Sequence, residues 1–284
     1  MNDLVVKHNA LTNASYGLSL VEQRLILLAI VDARRSGHGI TANDPLTITA
    51  SDYGQKFAAH RNTAYQALQD ATENLFNRRF SYQITNRKGN IEHVISRWVS
   101  EVRYVDNEAV VKLIFAPAVV PLITELERHF TQYAIEQIAG LNSAYAVRLY
   151  ELLIAWRGAG KTGVIELQEL RNRLGVADAE YKKMGDFKRR VLDLAITQIS
   201  EHTDIKATYQ QYKNGRTITG FSFRFSFKKT AKKPTTTQRT YTRADLDETP
   251  TLAHPGESYE QALKRLNTRS NKLGTEEKQT EINL

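Results

Sequence analysis

The sequence predicts an α+β chain built from two tandem winged-helix (winged helix-turn-helix) domains. Two observations carry this. The same series occurs twice, on either side of a stretch punctuated by Pro117 and Pro121: long helix, short strand, short helix, longer helix, hairpin with a basic tip. Each series also ends in residues of strand-like alternation around a turn, the pattern of a half-buried hairpin. Two copies in register weigh much more than one, because independent misreadings rarely agree.

The first copy opens with a helix expected from Leu18 to Arg35. Ser19 can cap it, Glu22 stands three residues on as in a capping box, and Leu20, Leu27, Ile30 and Val31 follow helical spacing. Gly37 and Gly39 end it, and Leu46 to Thr49 reads as a short strand. Ser51-Asp52 is expected to cap a short helix running through Phe57. A longer helix spans Arg61 to Asn77, with Ala64, Leu68, Ala71 and Leu75 as its core stripe. Strands follow: Phe80 to Ile84, a turn at Asn86 to Asn90, one strand from Ile91 to Val105, a turn at Asp106-Asn107, and a strand from Val110 to Phe115.

The second copy repeats this order. Asn142 or Ser143 caps a helix to about Trp156, Gly163 to Leu167 is a short strand, and Gln168 to Leu174 is a short helix closed by Gly175. A long helix begins at Lys182 or Asp186 and ends at His202, with Phe187, Val191 and Leu194 as its stripe and Ala195 and Ile199 beside them. Ile205 to Tyr212 and Thr217 to Phe227 form a hairpin through Lys213-Asn214-Gly215-Arg216, Asn-Gly being a strong hairpin signal. The expected organisation is therefore an N-terminal winged-helix domain over 1–124, a helical interdomain connection over 125–141 (including Phe130 to Ile138), a C-terminal winged-helix domain over 142–228, and a disordered tail over 229–284 with one short helix around Tyr259 to Leu266.

Composition narrows the function. The chain has 284 residues, 41% hydrophobic, a formal net charge of +8 and no cysteine. A basic balance points to a polyanionic partner, nucleic acid or an anionic membrane surface. Absence of cysteine excludes disulfides and thiolate metal sites and fits a reducing cytoplasm. Met1-Asn2-Asp3-Leu4 lacks a basic region followed by an apolar core, and the longest apolar run, Leu25 to Val31, is too short to span a bilayer. A soluble intracellular protein with no membrane partner is expected.

The candidate binding residues sit where a winged helix meets a duplex. On the third helix of the first copy, Arg61, Asn62, Tyr65, Gln66 and Gln69 face away from the core stripe. Asn and Gln can bridge adenine and Arg can bridge guanine in the major groove, although every surface helix carries a polar face. In the second copy Lys182, Lys183, Lys188, Arg189 and Arg190 crowd the start of the long helix, relieved only by Glu180 and Asp186. The recognition helix of a helix-turn-helix presents its N-terminal part to base edges, and cations there release counterions from phosphates. The turns Arg87-Lys88 and Lys213 with Arg216 give both wings a basic tip, read as phosphate contacts.

Enzyme signals fail. Gly158-Ala159-Gly160-Lys161-Thr162 resembles the end of a phosphate loop, but the glycine required at 155 is Ala155, and the segment follows a helix instead of a strand. The seven histidines show no metal-ligand spacing, and there is no nucleophile elbow. No catalytic residue, cofactor or metal is expected.

The residues resemble the iteron-type initiators of theta-replicating plasmids from Val5 to Phe227. The likeness runs through Val5 to Leu11, Leu18 to Leu25 and Ala146 to Leu153, and is most specific in Phe187-Lys188-Arg189-Arg190-Val191-Leu192 and in Thr203 to Phe225. It implies a non-catalytic protein that binds repeated origin sites as a monomer and also dimerises, mainly through the first domain, to repress its own promoter or limit copy number. It further implies opening of an adjacent AT-rich segment and recruitment of the host initiator, helicase loader and helicase. The match from Phe187 to Val191 puts Lys188, Arg189 and Arg190 on the family's second recognition helix. Ser200 departs from the pattern, where asparagine is frequent. The other reading is a winged-helix transcriptional repressor with no initiation role.

Overall fold

A computed structural model describes residues 3–37, 41, 43–58, 61–105, 108–124 and 130–228, together with 260–261, 263–265 and 267, which are helical. The side chains of 61–63 lie outside the description. Two compact units are present, residues 1–228 and 229–284, and most of the expected tail lies outside the described residues.

The chain opens with β1 (Leu4–His8) and a single turn α1 (Asn9–Thr12). Helix α2 (Leu20–Ser36) has the expected capping box: the Ser19 hydroxyl accepts from the Glu22 amide at 3.2 Å, and the Glu22 carboxylate accepts from the Ser19 amide at 2.6 Å. Gly37, with φ +74°, closes it. Every residue from Glu22 to Val31 is buried, so α2 is the central helix of the first domain. Strand β2 (Leu46–Thr49) turns Leu46 and Ile48 inward. Helix α3 (Ala50–Phe57) starts slightly earlier than expected, because Thr49, and not Ser51 or Asp52, accepts from the Asp52 amide at 3.0 Å. Helix α4 (Arg61–Asn77) has the expected bounds, with Ala64, Leu68, Ala71 and Leu75 buried.

The single strand expected from Ile91 to Val105 is two strands. After β3 (Arg79–Thr85), β4 (Ile91–Arg97) pairs with β3 alone, whereas β5 (Val99–Val105) pairs with β6 (Val110–Phe115). The chain changes sheet at Trp98, which is buried between Tyr16 and Phe80 with both rings 4.8 Å from its own. Trp98 and Val99 are both buried. Two consecutive inward residues cannot belong to one regular pleat, so the strand breaks there. The first domain's main sheet has the order β2-β6-β5, and β3-β4 is an additional hairpin.

Beyond α5 (Val120–Thr124) the expected helical connection contains a strand. Strand β7 (Phe130–Ala134) pairs antiparallel with β1, with Val5 opposite Tyr133 and Lys7 opposite Thr131. Its residues alternate exposed and buried, but its partner lies more than a hundred residues upstream, where no local window reaches. One turn of helix, α6 (Glu136–Ala139), follows.

The second domain matches its expected order closely. Helix α7 (Ala144–Ile154) is capped by Ser143, and β8 (Ile165–Glu166) leads into α8 (Leu167–Leu174). Then come α9 (Met184–Phe187), a π turn over Lys188–Asp193, and α10 (Leu194–His202), stacked as one long helix. Strands β9 (Ile205–Asn214) and β10 (Thr217–Phe227) complete a sheet of order β8-β10-β9, the same order as in the first domain. The protein is thus an α+β chain of two winged-helix domains.

The domains touch where α8 ends. Gly175 has φ +76°, and a Cβ there would lie 2.4 Å from the backbone oxygen of Tyr16. Gly37 has a similar φ of +74° with open space around it. Gly37→Ala is therefore expected to cost only the left-handed backbone term, about 1–2 kcal/mol. Gly175→Ala adds a clash with backbone and should cost about 2–4 kcal/mol. Urea denaturation of the two variants checks this. Equal losses would mean that the Tyr16 segment yields freely.

Candidate nucleic-acid interface

The second domain gathers its expected cations on one side of the long helix and along the hairpin. Lys182 and Lys183 are exposed, but they precede the helix, Lys183 being the N-cap of α9. Arg189 and Arg190 stand on the π turn with side chains 70% and 61% exposed. The Asp186 carboxylate lies 3.1 Å from Arg189 and 4.0 Å from Arg190, so one acid at the helix start accepts from Arg189 and stands near Arg190. Exposed pairs of this kind contribute little to stability and exchange readily for another anion or acceptor.

Lys188 behaves differently from its neighbours. It is half-buried and donates to the Gln211 side chain on β9 at 3.1 Å. Tyr209, also on β9, donates from its hydroxyl to Asp193 at 2.6 Å. These two bonds tie the long helix to the wing strand. Neither Gln211 nor Tyr209 stood out in the sequence, since nothing in the order of residues reveals which strand position a helix side chain will meet. Burial pushes the Tyr209 hydroxyl above its ordinary range, and the bond to Asp193 adds to this, so it remains a donor at neutral pH. Lys213 follows Gln211 on the same strand face, and the β9–β10 turn carries exposed Arg216 beside Gly215, whose φ is +60°. The pairing of Asn214 with Thr217 leaves Gly215 and Arg216 as the loop.

In the first domain the expected face is less open. Tyr65 is half-buried and packs on the core, Gln69 is half-buried, and exposed Gln66 donates to Asp70 at 2.9 Å. Arg61 and Asn62 begin α4, and their side chains lie outside the described residues.

The expectation of two equivalent basic wing tips needs correction. Arg87 and Lys88 are exposed, in a turn held by Asn86, whose side-chain oxygen accepts from the amides of Lys88 and Asn90 at 3.0 Å each. That turn joins β3 to β4, the additional hairpin. The counterpart of β9–β10 in the first domain is β5–β6, and its connection reads Asp106-Asn107-Glu108-Ala109. The topological match to the basic tip of the second domain is therefore acidic. Sequence order showed a hairpin after α4 but not which strands complete the sheet.

The Gly158–Thr162 loop does not form a phosphate cradle. It leaves α7 and enters β8, and the Thr162 hydroxyl is taken up by the Phe223 amide and the Gly163 carbonyl. Among the described residues no group of three or more His, Cys, Asp or Glu could hold a metal ion, and no helix is long and apolar enough to cross a membrane.

Family models match both halves of the chain: residues 4–154 match the model described as Initiator Replication protein, WH1, and residues 166–225 match Initiator Rep protein, WH2. An uncharacterized 27.6 kDa protein of Escherichia coli is 25% identical over 221 residues, 75% of this chain and 91% of that protein. A replication initiation protein of Escherichia coli is 26% identical over 156 residues, 54% of this chain and 48% of that protein. Among solved structures, the WH1 domain of MSBI1.176, a replication protein isolated from a multiple sclerosis patient, is 58% identical over 39% of this chain and 81% of that one, with a TM-score of 0.33. The Pi initiator protein, solved in complex with iteron DNA, is similar in fold: TM-score 0.60, 19% identity, 81% of this chain and 99% of that one. With both domains matched in order over most of its length, the chain belongs to the family of initiator replication proteins.

Proposed function

We propose that this protein is a plasmid replication initiator that binds the repeated sites of its origin as double-stranded DNA, reading them with its two domains, 1–124 and 142–228. The observation that carries this is the exposed pair Arg189 and Arg190 at the front of the second domain's long helix, beside a wing with Lys213 and Arg216 at its end. In a winged helix that is where base edges and phosphates are met. The Pi initiator, of similar fold, was solved on iteron DNA, which supports the same ligand class here. The reading assigns base contacts to Arg61, Asn62, Gln66, Gln69, Arg189 and Arg190. Phosphate contacts go to Arg87, Lys88, Lys182, Lys183, Lys213 and Arg216, with Tyr65 and Lys188 supporting their helices. It includes opening of the origin, recruitment of the host initiator and helicase machinery, repression of its own promoter, action in the bacterial cytoplasm, and no catalytic step of its own.

Self-association belongs to this reading too. Strand β4 has no further strand beside it among the described residues, and Ile91 and Ile95 stand exposed on it, an edge open to a second copy.

Two measurements test the proposal. The gene supplied in trans should maintain a plasmid carrying only the direct repeats next to it. A protein that represses through those repeats but never maintains the plasmid would be a repressor instead. Binding to that DNA should also weaken steeply with salt. Lys182→Gln with Lys183→Gln is expected to reduce the salt slope by about 2, about 1 for each phosphate no longer neutralised, without changing sequence preference. An unchanged slope would take both lysines off the duplex.

A further inference from the structure

The long helix of the second domain carries one apolar side chain that its core does not use. Seven steps of about 100° from Phe187 bring Leu194 back to within about 20° of the same azimuth, which is why helical spacing puts it on the buried stripe. Instead, Phe187, Val191, Leu192, Ala195 and Ile199 fill the core, and Leu194 is 42% exposed. A π turn over Lys188–Asp193 lies between Phe187 and Leu194. Its i→i+5 bonds take in an additional residue relative to an α turn, so everything after it lags in azimuth. Ala195 takes the buried place, and Leu194 swings onto the exposed face with Arg189, Arg190 and Thr197. Asp193, next to it, is held by the Tyr209 hydroxyl. Leu194 is thus the large apolar member of the face that also carries both arginines, one turn beyond Arg190.

An isolated surface leucine would need no account. Here it shares its exposed face with two arginines, and the backbone departs from α geometry at the arginines themselves. Major-groove chemistry supplies the partner. Guanine offers acceptors to a guanidinium, whereas thymine is marked by a C5 methyl that an apolar side chain can cover. Residues four apart on a helix are about 5–6 Å apart, which spans one to two base steps of about 3.4 Å.

We propose that Leu194 is a specificity-determining residue that packs on the C5 methyl of a thymine one or two base pairs from the guanine read by Arg190. The inference rests on the duplex reading above. The test uses a duplex that the full-length wild type selects from a random library. Each thymine is replaced in turn by uracil, which lacks only the methyl, and binding is measured with wild type and Leu194→Ala. One uracil should weaken wild-type binding about fourfold, the effect of a single buried methyl-sized group, and should leave Leu194→Ala binding unchanged. That position should neighbour the guanine to which Arg190→Ala is indifferent. If every uracil acts equally on both proteins, the proposal is overturned while the selected duplex leaves DNA reading intact. A wild type that selects no duplex overturns the DNA reading and this inference together. Leu194→Ala should also keep the wild-type melting temperature, and a variant that does not fold would put Leu194 in the core and overturn the proposal by itself.

Discussion

Glu151→Gln is expected to lower the stability of the chain by about 3–5 kcal/mol, the usual effect of stripping a buried charge cluster of its partner. Glu151 on α7 is the acid of a cluster that includes Lys7 on β1 and Arg148 one helical turn before it. The Lys7 ammonium lies 2.5 Å from one carboxylate oxygen, and Arg148 lies 3.1 Å from the other. All three side chains are shut off from water. The Tyr133 hydroxyl donates to the same carboxylate at 2.6 Å. Glutamine matches the shape of glutamate, so the variant removes charge and little volume, leaving two cations facing each other in a low-dielectric site. Burial alone would push the Glu151 carboxyl up, but the Lys7 and Arg148 cations hold it below its ordinary value. Burial also pushes the Lys7 ammonium down, against the pull of Glu151. A carboxyl whose folded value is depressed contributes fully above its unfolded value and loses that contribution as pH falls through the folded one. The gap between wild type and variant should thus be full at pH 7 and close only below the ordinary carboxylate range. Urea titrations at neutral and at strongly acidic pH measure it, and a loss under about 1 kcal/mol at pH 7 would mean that the cluster is solvated or already neutral.

The cluster also shows what the sequence could and could not disclose. Helix α4 and the β9–β10 hairpin were legible because their signals are local: a stripe at 3.6 spacing, alternation on both sides of Asn-Gly. Capping of α2 by Ser19 and Glu22 was legible for the same reason. The β1–β7 pairing was not, since Phe130 to Ala134 has no partner within reach of a local pattern. Nor was the sheet change at Trp98, which depends on the pocket made by Tyr16 and Phe80. Nothing local to Lys7 or Arg148 marks them as buried; only when β1 and α7 meet does Arg148 donate to the backbone oxygens of Thr12, Ala14 and Arg173. At the candidate interface, the concentration of positive charge was visible. The tether of Lys188 to Gln211 and the displacement of Leu194 were not, because a π turn breaks the periodicity from which azimuth is inferred.

The double variant Arg189→Ala, Arg190→Ala is expected to abolish most specific binding. Each arginine reading a guanine bidentately is worth about 1–3 kcal/mol of discrimination, so each single variant should weaken binding about tenfold or more and relax preference at one base pair. The two share Asp186 and stand next to each other, so their effects should not add, and a combined loss of about 2–5 kcal/mol is expected. Arg190→Lys should not restore the lost preference, because an ammonium is a point charge without the planar fork that matches guanine. Folding should be untouched, since both side chains are mostly in solvent and their bonds to Asp186 are exposed. Stability and affinity therefore separate the two sides of this helix. Phe187 and Val191 belong to the core, whereas Arg189 and Arg190 should alter DNA binding alone. Quantitative gel shifts with the origin repeats and with single-base variants, alongside thermal melts of the same proteins, give both readouts. Binding that survives in both single variants and in the double would take this helix off the duplex, whatever the charge of its surface.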